Sequence, residues 1–253
     1  MSWFEDGASR IYYEESGAGE PVLLLPGFSD RIEGHVALRR VLVPGNRVIV
    51  ADLPGSGRSG PQPREYTASY LADDARAFTA LLQTLDTGPT HLLGFSDGGE
   101  VALLMAEQSP ELVRSVLTWG ACGTISDPDG QLRTTMNTVI DHPIPPMQGY
   151  RDYLVTTYGE ANARATIRNL IKAMDAIIAA GGDLSVEKAG DIACPVLLIA
   201  GEYDMFVPRA LLDKIASRLR HGETIVVEGA GHDVHNARPE WFQRTVLDWL
   251  AKH

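Results

Sequence analysis

A short apolar run that leads into a glycine-rich turn around a serine constrains the fold of this chain more than any other sequence feature. The run His91-Leu92-Leu93 is followed by Gly94-Phe95-Ser96-Asp97-Gly98-Gly99, and residues 100–109 then have helical character. This is the pattern of a strand, a sharp turn and a helix. A serine at such a turn adopts a strained backbone conformation, and small residues two positions to either side prevent a collision. Gly94 and Gly98 meet that need, so we predict that the Ser96 hydroxyl stands above a sheet.

Short β-rich runs alternate with longer stretches of helical periodicity along the chain. This alternation predicts parallel strands joined by helical crossovers, and continuously apolar strands indicate a sheet covered on both faces. We therefore predict an α/β fold with a mostly parallel central sheet and helices on both faces. The predicted strands are residues 10–13, 22–25, 47–51, 91–93, 116–119, 196–200 and 224–227. Predicted helices include residues 67–85, 163–180 and 241–250.

The segment at residues 122–190 departs from this alternation. It contains no convincing strand, its turn-forming residues cluster at 127–130 and 142–146, and a helical apolar stripe follows. We predict a short helical cap at 122–190, inserted between an N-terminal part of the core at 1–121 and a C-terminal part at 191–253. The apolar stripe of the cap helix fits either a pocket lining or plain packing.

Composition narrows the possible partners and locations. The formal net charge of −11 argues against nucleic acid, whose phosphates require a basic face. The apolar runs fall far short of the roughly 20 residues needed to span a bilayer, and the first residues lack the pattern of a secretory signal. We expect a cytoplasmic monomer or small homo-oligomer that binds a small molecule and needs no metal or organic cofactor. Cys122 and Cys194 are expected to be free thiols.

Two further loops follow predicted strands and carry an acid and a base. Residues 201–208 place Asp204 after strand 196–200, at the edge where α/β sheets hold their sites. Residues 228–232 place His232 after strand 224–227 in a glycine-flexed loop. We predict that His232 is a general base oriented by Asp204. The second choices are His235 for the base and Glu202 or Asp233 for the acid.

The chain order of serine, aspartate and histidine resembles that of the α/β-hydrolase superfamily, and the resemblance covers essentially the whole chain. It implies that Ser96 is a nucleophile, that His232 takes its proton, and that Asp204 holds the imidazole in the required tautomer. It also implies two oxyanion-hole donors, the backbone N–H groups of Asp97 and Phe28. Where the family usually has His-Gly, this chain has Pro26-Gly27, which leaves the donor but removes a side chain that often braces the loop.

The residue after the nucleophile is unusual because it carries a negative charge. The motif at residues 94–99, with Trp119-Gly120-Ala121 downstream, looks most like the biphenyl-hydrolase-like group that includes valacyclovir hydrolase, although Phe95 stands where that group tends to have tryptophan. Members of that group cleave α-amino-acid esters. Asp97 therefore fits two hypotheses, an anchor for a substrate ammonium or a stabiliser of the first helical turn. We expect the substrate to contact Asp97, Phe28 and Trp119.

These observations predict a serine hydrolase of the carboxylesterase type that cleaves small esters. A serine at position 96 argues against dehalogenase and epoxide hydrolase chemistry, in which this fold uses a carboxylate nucleophile. Cleavage of carbon–carbon bonds, lactones or amides, and perhydrolysis, stay open because the cap sets these choices. Ligand binding without turnover and a non-hydrolytic biosynthetic step are the rival classes.

Overall fold

The computed structural model describes residues 2–7 and 9–253, and a sheet of eight strands forms its centre. The strands are β1 (Ser2–Asp6), β2 (Ser9–Ser16), β3 (Glu20–Leu25), β4 (Asn46–Ala51), β5 (Thr90–Phe95), β6 (Val113–Trp119), β7 (Val196–Gly201) and β8 (Gly222–Val227). They lie in the order β1-β2-β4-β3-β5-β6-β7-β8. Only β2 is antiparallel to its neighbours, β1 and β4, and the remaining pairs of these strands are parallel. The mostly parallel sheet is confirmed.

Helices cover both faces of this sheet, as predicted. They are α1 (Val36–Leu42), α2 (Tyr70–Thr84), α3 (Asp97–Gln108), α4 (Gln131–Thr138), α5 (Gln148–Tyr158), α6 (Glu160–Ala179), α7 (Arg209–Ala216), α8 (Val234–Ala237) and α9 (Pro239–Lys252). Because strand side chains alternate between faces, β3 contributes to two apolar cores. Leu23 and Leu25 pack in the core that contains α2 and α3, whereas Val22 and Leu24 pack with α1 and α9.

The seven strands expected from the sequence are all present, and β1 was missed. This strand lies at the edge of the sheet, where its residues alternate between half-buried and exposed. Trp3 packs edge-on against Tyr12 of β2, with ring centroids 5.1 Å apart. An edge strand covered on one side lacks the continuous apolar run that marked the central strands. The two cysteines are free, as expected.

The chain between β6 and β7 forms the helices α4, α5 and α6, and α6 contacts both of the others. Within residues 122–190 there is no strand, which agrees with a helical cap. The assignment of residues 1–121, 122–190 and 191–253 to separate parts stays a prediction. Across the described ranges, no helix combines the length and the apolar character that crossing a membrane requires.

The strand order creates a crevice at one edge of the sheet. From β3 the chain continues into β4 on one side, and it later returns to place β5 on the other side. Leu25 at the end of β3 pairs with Gly94 of β5, so the loops that follow these strands are neighbours. In open α/β sheets the ligand site lies at such a switch point, beyond the carboxyl ends of the strands.

Candidate active site

Ser96 occupies the sharp turn between β5 and α3. Its backbone has φ 50° and ψ −120°, a conformation that side-chain-bearing residues rarely adopt. A Cβ atom on Gly94 would lie 2.3 Å from the carbonyl oxygen of Gly98, and one on Gly98 would lie 2.3 Å from that of Pro26. Ser96 N–H also donates to Trp119 C=O at 2.8 Å, which ties the turn to β6. The two glycines therefore make room for the turn that the sequence predicted.

His232 and Asp204 converge on Ser96 from the loops after β8 and β7. His232 Nε2 lies 3.0 Å from Ser96 Oγ, and His232 Nδ1 lies 2.9 Å from Asp204 Oδ2. The Asp204 side chain is fully buried, and its Oδ1 accepts the N–H groups of Phe206 and Val207 at 2.9 and 3.1 Å. A proton on Nδ1 then points at the carboxylate and leaves the Nε2 lone pair for the serine hydroxyl. The structure brings all three predicted residues into one hydrogen-bonded chain.

The second-choice base is engaged elsewhere. The ring of His235 stacks on His35 with centroids 5.3 Å apart, and its Nδ1 accepts the Trp119 indole N–H at 3.0 Å. Burial lowers the pKa of His235 to about 3, so this imidazole is neutral at ordinary pH. Because His235 Nδ1 accepts the Trp119 hydrogen bond, its lone pair is not available to take a proton from a serine hydroxyl.

The second-choice acids lie outside the chain of hydrogen bonds that links the serine, histidine and buried aspartate. Glu202 is exposed, and its Oε2 accepts Gly229 N–H at 3.0 Å. Asp233 is exposed at the wall of the cavity described below, where partial desolvation raises its pKa. The side chain that bonds to the imidazole is that of Asp204.

The two predicted oxyanion donors lie beside the serine. Asp97 is the first residue of α3, where a backbone N–H has no acceptor within the helix. Gly27 lies so close to the turn that an added Cβ would be 3.2 Å from Ser96 Cβ, and this packing brings the next residue, Phe28, to the same cavity wall. Helix N-termini favour negative charge because their N–H groups and dipole point outward. The arrangement is suited to an anion that develops next to Ser96.

A cavity of about 930 Å³ opens above the serine. Loops after the strands form one side, and the helices between β6 and β7 contribute apolar and aromatic side chains to the other, among them Met136, Tyr150 and Met174. This volume suits a small organic substrate. Met174 belongs to the apolar stripe of helix 163–180, for which the sequence left pocket lining open, whereas Met136 and Tyr150 were not singled out.

The cavity carries negative charge. Its described lining residues include four carboxylates and neither lysine nor arginine; the acids are Asp30, Asp97, Glu100 and Asp233. Desolvation raises the pKa of Asp97 to about 6, and the Tyr70 hydroxyl opposes this shift by donating to its Oδ2 at 2.8 Å. Such a site favours a cationic group over an anionic one.

Glu100 is a cavity acid that sequence reasoning missed. It lies one helical turn after Asp97, and its carboxylate accepts the N–H groups of Cys122 and Gly123 at 2.8 to 3.0 Å. Burial raises its pKa to about 7. The contact ties α3 to the start of the cap segment. The three-residue spacing from Asp97 was the available signal.

Trp119, which was expected to contact the substrate, lies outside the described cavity lining. The residue is fully buried, stacks on Phe95 with centroids 5.7 Å apart and packs edge-on against Phe242 of α9. As the last residue of β6, it points to the sheet face that α9 covers, because strand side chains alternate between faces. Its indole N–H is used by His235.

The chain is similar to known hydrolases over most of its length. The family model described as Alpha/beta hydrolase family matches residues 22–245. The Mus musculus protein named Serine hydrolase BPHL is 26% identical over 251 residues, which cover 95% of this chain and 83% of that protein. The 2-hydroxy-6-oxononadienedioate/2-hydroxy-6-oxononatrienedioate hydrolase of Paraburkholderia xenovorans is 27% identical over 272 residues, with 97% and 92% covered. The crystal structure of the enol-lactonase from Burkholderia xenovorans LB400 shares the fold, with a TM-score of 0.78 at 19% identity over 99% of this chain and all of that one.

Proposed function

The chain belongs to the alpha/beta hydrolase family, and from that premise we propose that it is a serine hydrolase that cleaves small carboxylic esters, with a preference for α-amino-acid esters. The observation that carries the proposal is the chain of hydrogen bonds from Asp204 through His232 to Ser96, at 2.9 and 3.0 Å, with His232 and Ser96 on the wall of the cavity. A general base within about 3 Å of a hydroxyl is the arrangement that activates a serine.

The proposed reaction proceeds through an acyl-enzyme. Ser96 Oγ attacks the ester carbonyl carbon while His232 Nε2 takes the hydroxyl proton, and Asp204 stabilises the resulting imidazolium. The N–H groups of Phe28 and Asp97 donate to the oxyanion of the tetrahedral intermediate. The intermediate collapses, and the alcohol leaves with the proton from His232. Water, deprotonated by His232, then attacks the acyl carbon, and the acid is released as Ser96 regains its proton.

The substrate preference rests on the charge of the cavity. The Asp97 carboxylate lies one residue from the nucleophile in a cavity wall with three other acids, and the described lining offers no basic side chain. An α-ammonium next to the scissile carbonyl would lie within reach of Asp97. It would give the desolvated Asp97 carboxylate the cationic partner that the described cavity lining does not provide. The resemblance of residues 94–99 to enzymes that cleave α-amino-acid esters supports the same choice.

Carbon–carbon bond hydrolysis is the second candidate, because one relative is named for a dienedioate and trienedioate substrate. Such a substrate carries two carboxylates, which the acids of this cavity would repel. Lactone and amide hydrolysis use the same catalytic groups; a lactone differs in the fit of its ring, and an amide also requires His232 to protonate a poorer, amine leaving group. The charge of the cavity therefore favours a cationic or neutral ester.

Matched p-nitrophenyl esters, with and without a free α-amino group on the same acyl chain, test the preference. We expect wild-type kcat/KM to be higher for the amino ester, and Asp97→Asn to reduce that advantage about 10- to 100-fold, mainly through KM. This magnitude corresponds to loss of a hydrogen-bonded charged contact of roughly 1.5–3 kcal/mol. Glu202→Gln, which removes an exposed acid outside the described cavity lining, is the matched control. Equal losses of kcat/KM for both esters in Asp97→Asn would overturn the role of Asp97 as an anchor for the substrate ammonium.

The amino-ester preference should also depend on pH. Because the pKa of Asp97 is raised to about 6, its carboxylate is charged above that pH and becomes protonated as the pH falls through it. The substrate amine stays charged in this range, since α-amino groups titrate near 7.7–8.0. The ratio of kcat/KM for the two esters should therefore fall several-fold from about pH 7 to about pH 5. Taking the ratio removes pH effects that both esters share, and Asp97→Asn should remove the change centred near pH 6, leaving only the contribution of Glu100, whose pKa is about 7.

A further inference from the structure

Ser29 follows the predicted oxyanion donor Phe28, and hydrogen bonds hold it through its N–H, its side chain and its carbonyl oxygen. Ser29 has φ 56°, in the left-handed region that non-glycine residues rarely adopt. Its N–H donates to Ser56 Oγ at 3.1 Å, and its side chain hydrogen-bonds to the Tyr150 hydroxyl at 2.9 Å. Its carbonyl oxygen accepts the hydroxyls of Tyr153 and Tyr158 at 3.0 and 2.6 Å. Every polar group of Ser29 is therefore occupied.

Three of these contacts come from a single cap helix. Tyr150, Tyr153 and Tyr158 all belong to α5, and helical spacing lets residues three and eight positions apart share one face. The Tyr158 hydroxyl also accepts Gly57 N–H at 2.8 Å, so it joins Ser29 to a second core loop. Burial raises the pKa of the Tyr158 phenol to about 12 and raises those of the other two, which keeps all three protonated as donors.

The loop that carries Phe28 needs such support. Residues 26–29 lie beyond the end of β3, outside the hydrogen-bond ladder of the sheet. Within this loop, Gly27 C=O accepts Asp30 N–H at 3.1 Å, and Pro26 has no N–H to donate. An oxyanion donor stabilises a transition state only if it is held in place beforehand.

Resting on the proposed function, we propose that Tyr150, Tyr153 and Tyr158 are positioning residues that hold Ser29 and thereby fix the Phe28 N–H for the oxyanion. The cap helix α5 then has a second role besides lining the cavity. It completes the oxyanion hole from a part of the chain more than 120 residues away from Ser29. Through these hydroxyls, the packing of α5 against the rest of the protein becomes linked to the stabilisation of the transition state.

The test uses hydroxyl deletions in the full-length protein. Tyr158→Phe is the main variant because Tyr158 does not belong to the described cavity lining, and Tyr153→Phe/Tyr158→Phe removes both donors to the Ser29 carbonyl. We expect kcat for the neutral p-nitrophenyl ester to fall about tenfold in the single variant and further in the double, with little change in KM. This is less than the roughly 10²- to 10³-fold cost of losing an oxyanion donor outright. Tyr13→Phe in β2, outside the described cavity lining, is the matched control.

Two measurements separate positioning from general damage. A trifluoromethyl ketone forms a hemiketal oxyanion on Ser96, so its affinity should fall in proportion to kcat, whereas the matched methyl ketone, bound without that charge, should bind unchanged. Thermal unfolding shows whether Tyr158→Phe is folded, and Tyr153→Phe alone, which leaves one donor on Ser29, is the milder second variant. Unchanged kcat in a folded double variant would overturn the proposal, as would equal losses of affinity for both ketones.

A fluorophosphonate distinguishes failure of this inference from failure of the proposed function. Ser96 Oγ forms a bond to phosphorus, fluoride leaves, and His232 takes the serine proton, so the reaction needs the oxyanion hole but no ester substrate. Slower labelling of folded Tyr158→Phe supports the positioning role even if no ester is turned over. Equal labelling rates in wild type and the double variant overturn the positioning role alone. Absence of labelling at Ser96 in the wild type overturns both proposals.

Discussion

Replacement of Ser96 by alanine is expected to lower kcat by roughly 10⁴- to 10⁶-fold, the largest effect of any single change in this protein. The Ser96 side chain makes one hydrogen bond, to His232 Nε2, and lies at the turn beside both predicted oxyanion donors. Alanine keeps the Cβ atom and the backbone of the turn, so the loss of activity comes from the missing hydroxyl and not from a change of fold. The remaining rate enhancement would come from the oxyanion donors and from substrate binding.

Initial rates on the p-nitrophenyl esters, together with fluorophosphonate labelling, check this prediction. Labelling should disappear in Ser96→Ala while the thermal midpoint stays close to that of the wild type. Ser217→Ala is the matched control, because Ser217 is an exposed serine whose hydroxyl bonds only to the end of its own helix, at Lys214 C=O. Ester turnover above a tenth of the wild-type rate in Ser96→Ala would rule out the acyl-enzyme on this serine.

Asp204→Asn is expected to cost about 10⁴-fold in kcat with the fold preserved. Asp204 Oδ1 is occupied by the N–H groups of Phe206 and Val207, so an asparagine must keep its carbonyl oxygen there. Its NH₂ group would then face His232 Nδ1, at the position of Oδ2. A donor at that position requires Nδ1 to accept, which puts the ring proton on Nε2 and removes the lone pair that takes the serine proton.

Kinetics of Asp204→Asn and Glu202→Gln on the same ester separate the orienting acid from its exposed neighbour. The Glu202 variant should retain nearly full activity, because its exposed carboxylate accepts Gly229 N–H and does not bond to His232 in the described structure. A large loss in Glu202→Gln with a small loss in Asp204→Asn would exchange the two assignments. Thermal unfolding of both variants shows whether the buried hydrogen bonds of residue 204 are maintained.

Much of this arrangement could be predicted because it depends on local sequence. Ser96, Asp204 and His232 each lie in a loop directly after a strand, and the strands were visible as apolar runs. In a parallel sheet, such loops meet at one edge, so their order in the chain was enough to bring the three side chains together. The short edge strand β1 was missed because it lacks such a run.

The sequence by itself determined the α/β architecture, the glycine-dependent turn at Ser96 and the presence of a helical segment before β7. Only the tertiary structure decided that Trp119 is buried under Phe95, that the cavity lining concentrates acids around Asp97, and that α5 reaches Ser29. The physical reason is the range of the interactions. Backbone conformation and apolar periodicity are set by neighbours in the chain, whereas burial, pKa shifts and hydroxyl contacts depend on residues that come together only when the helices have packed.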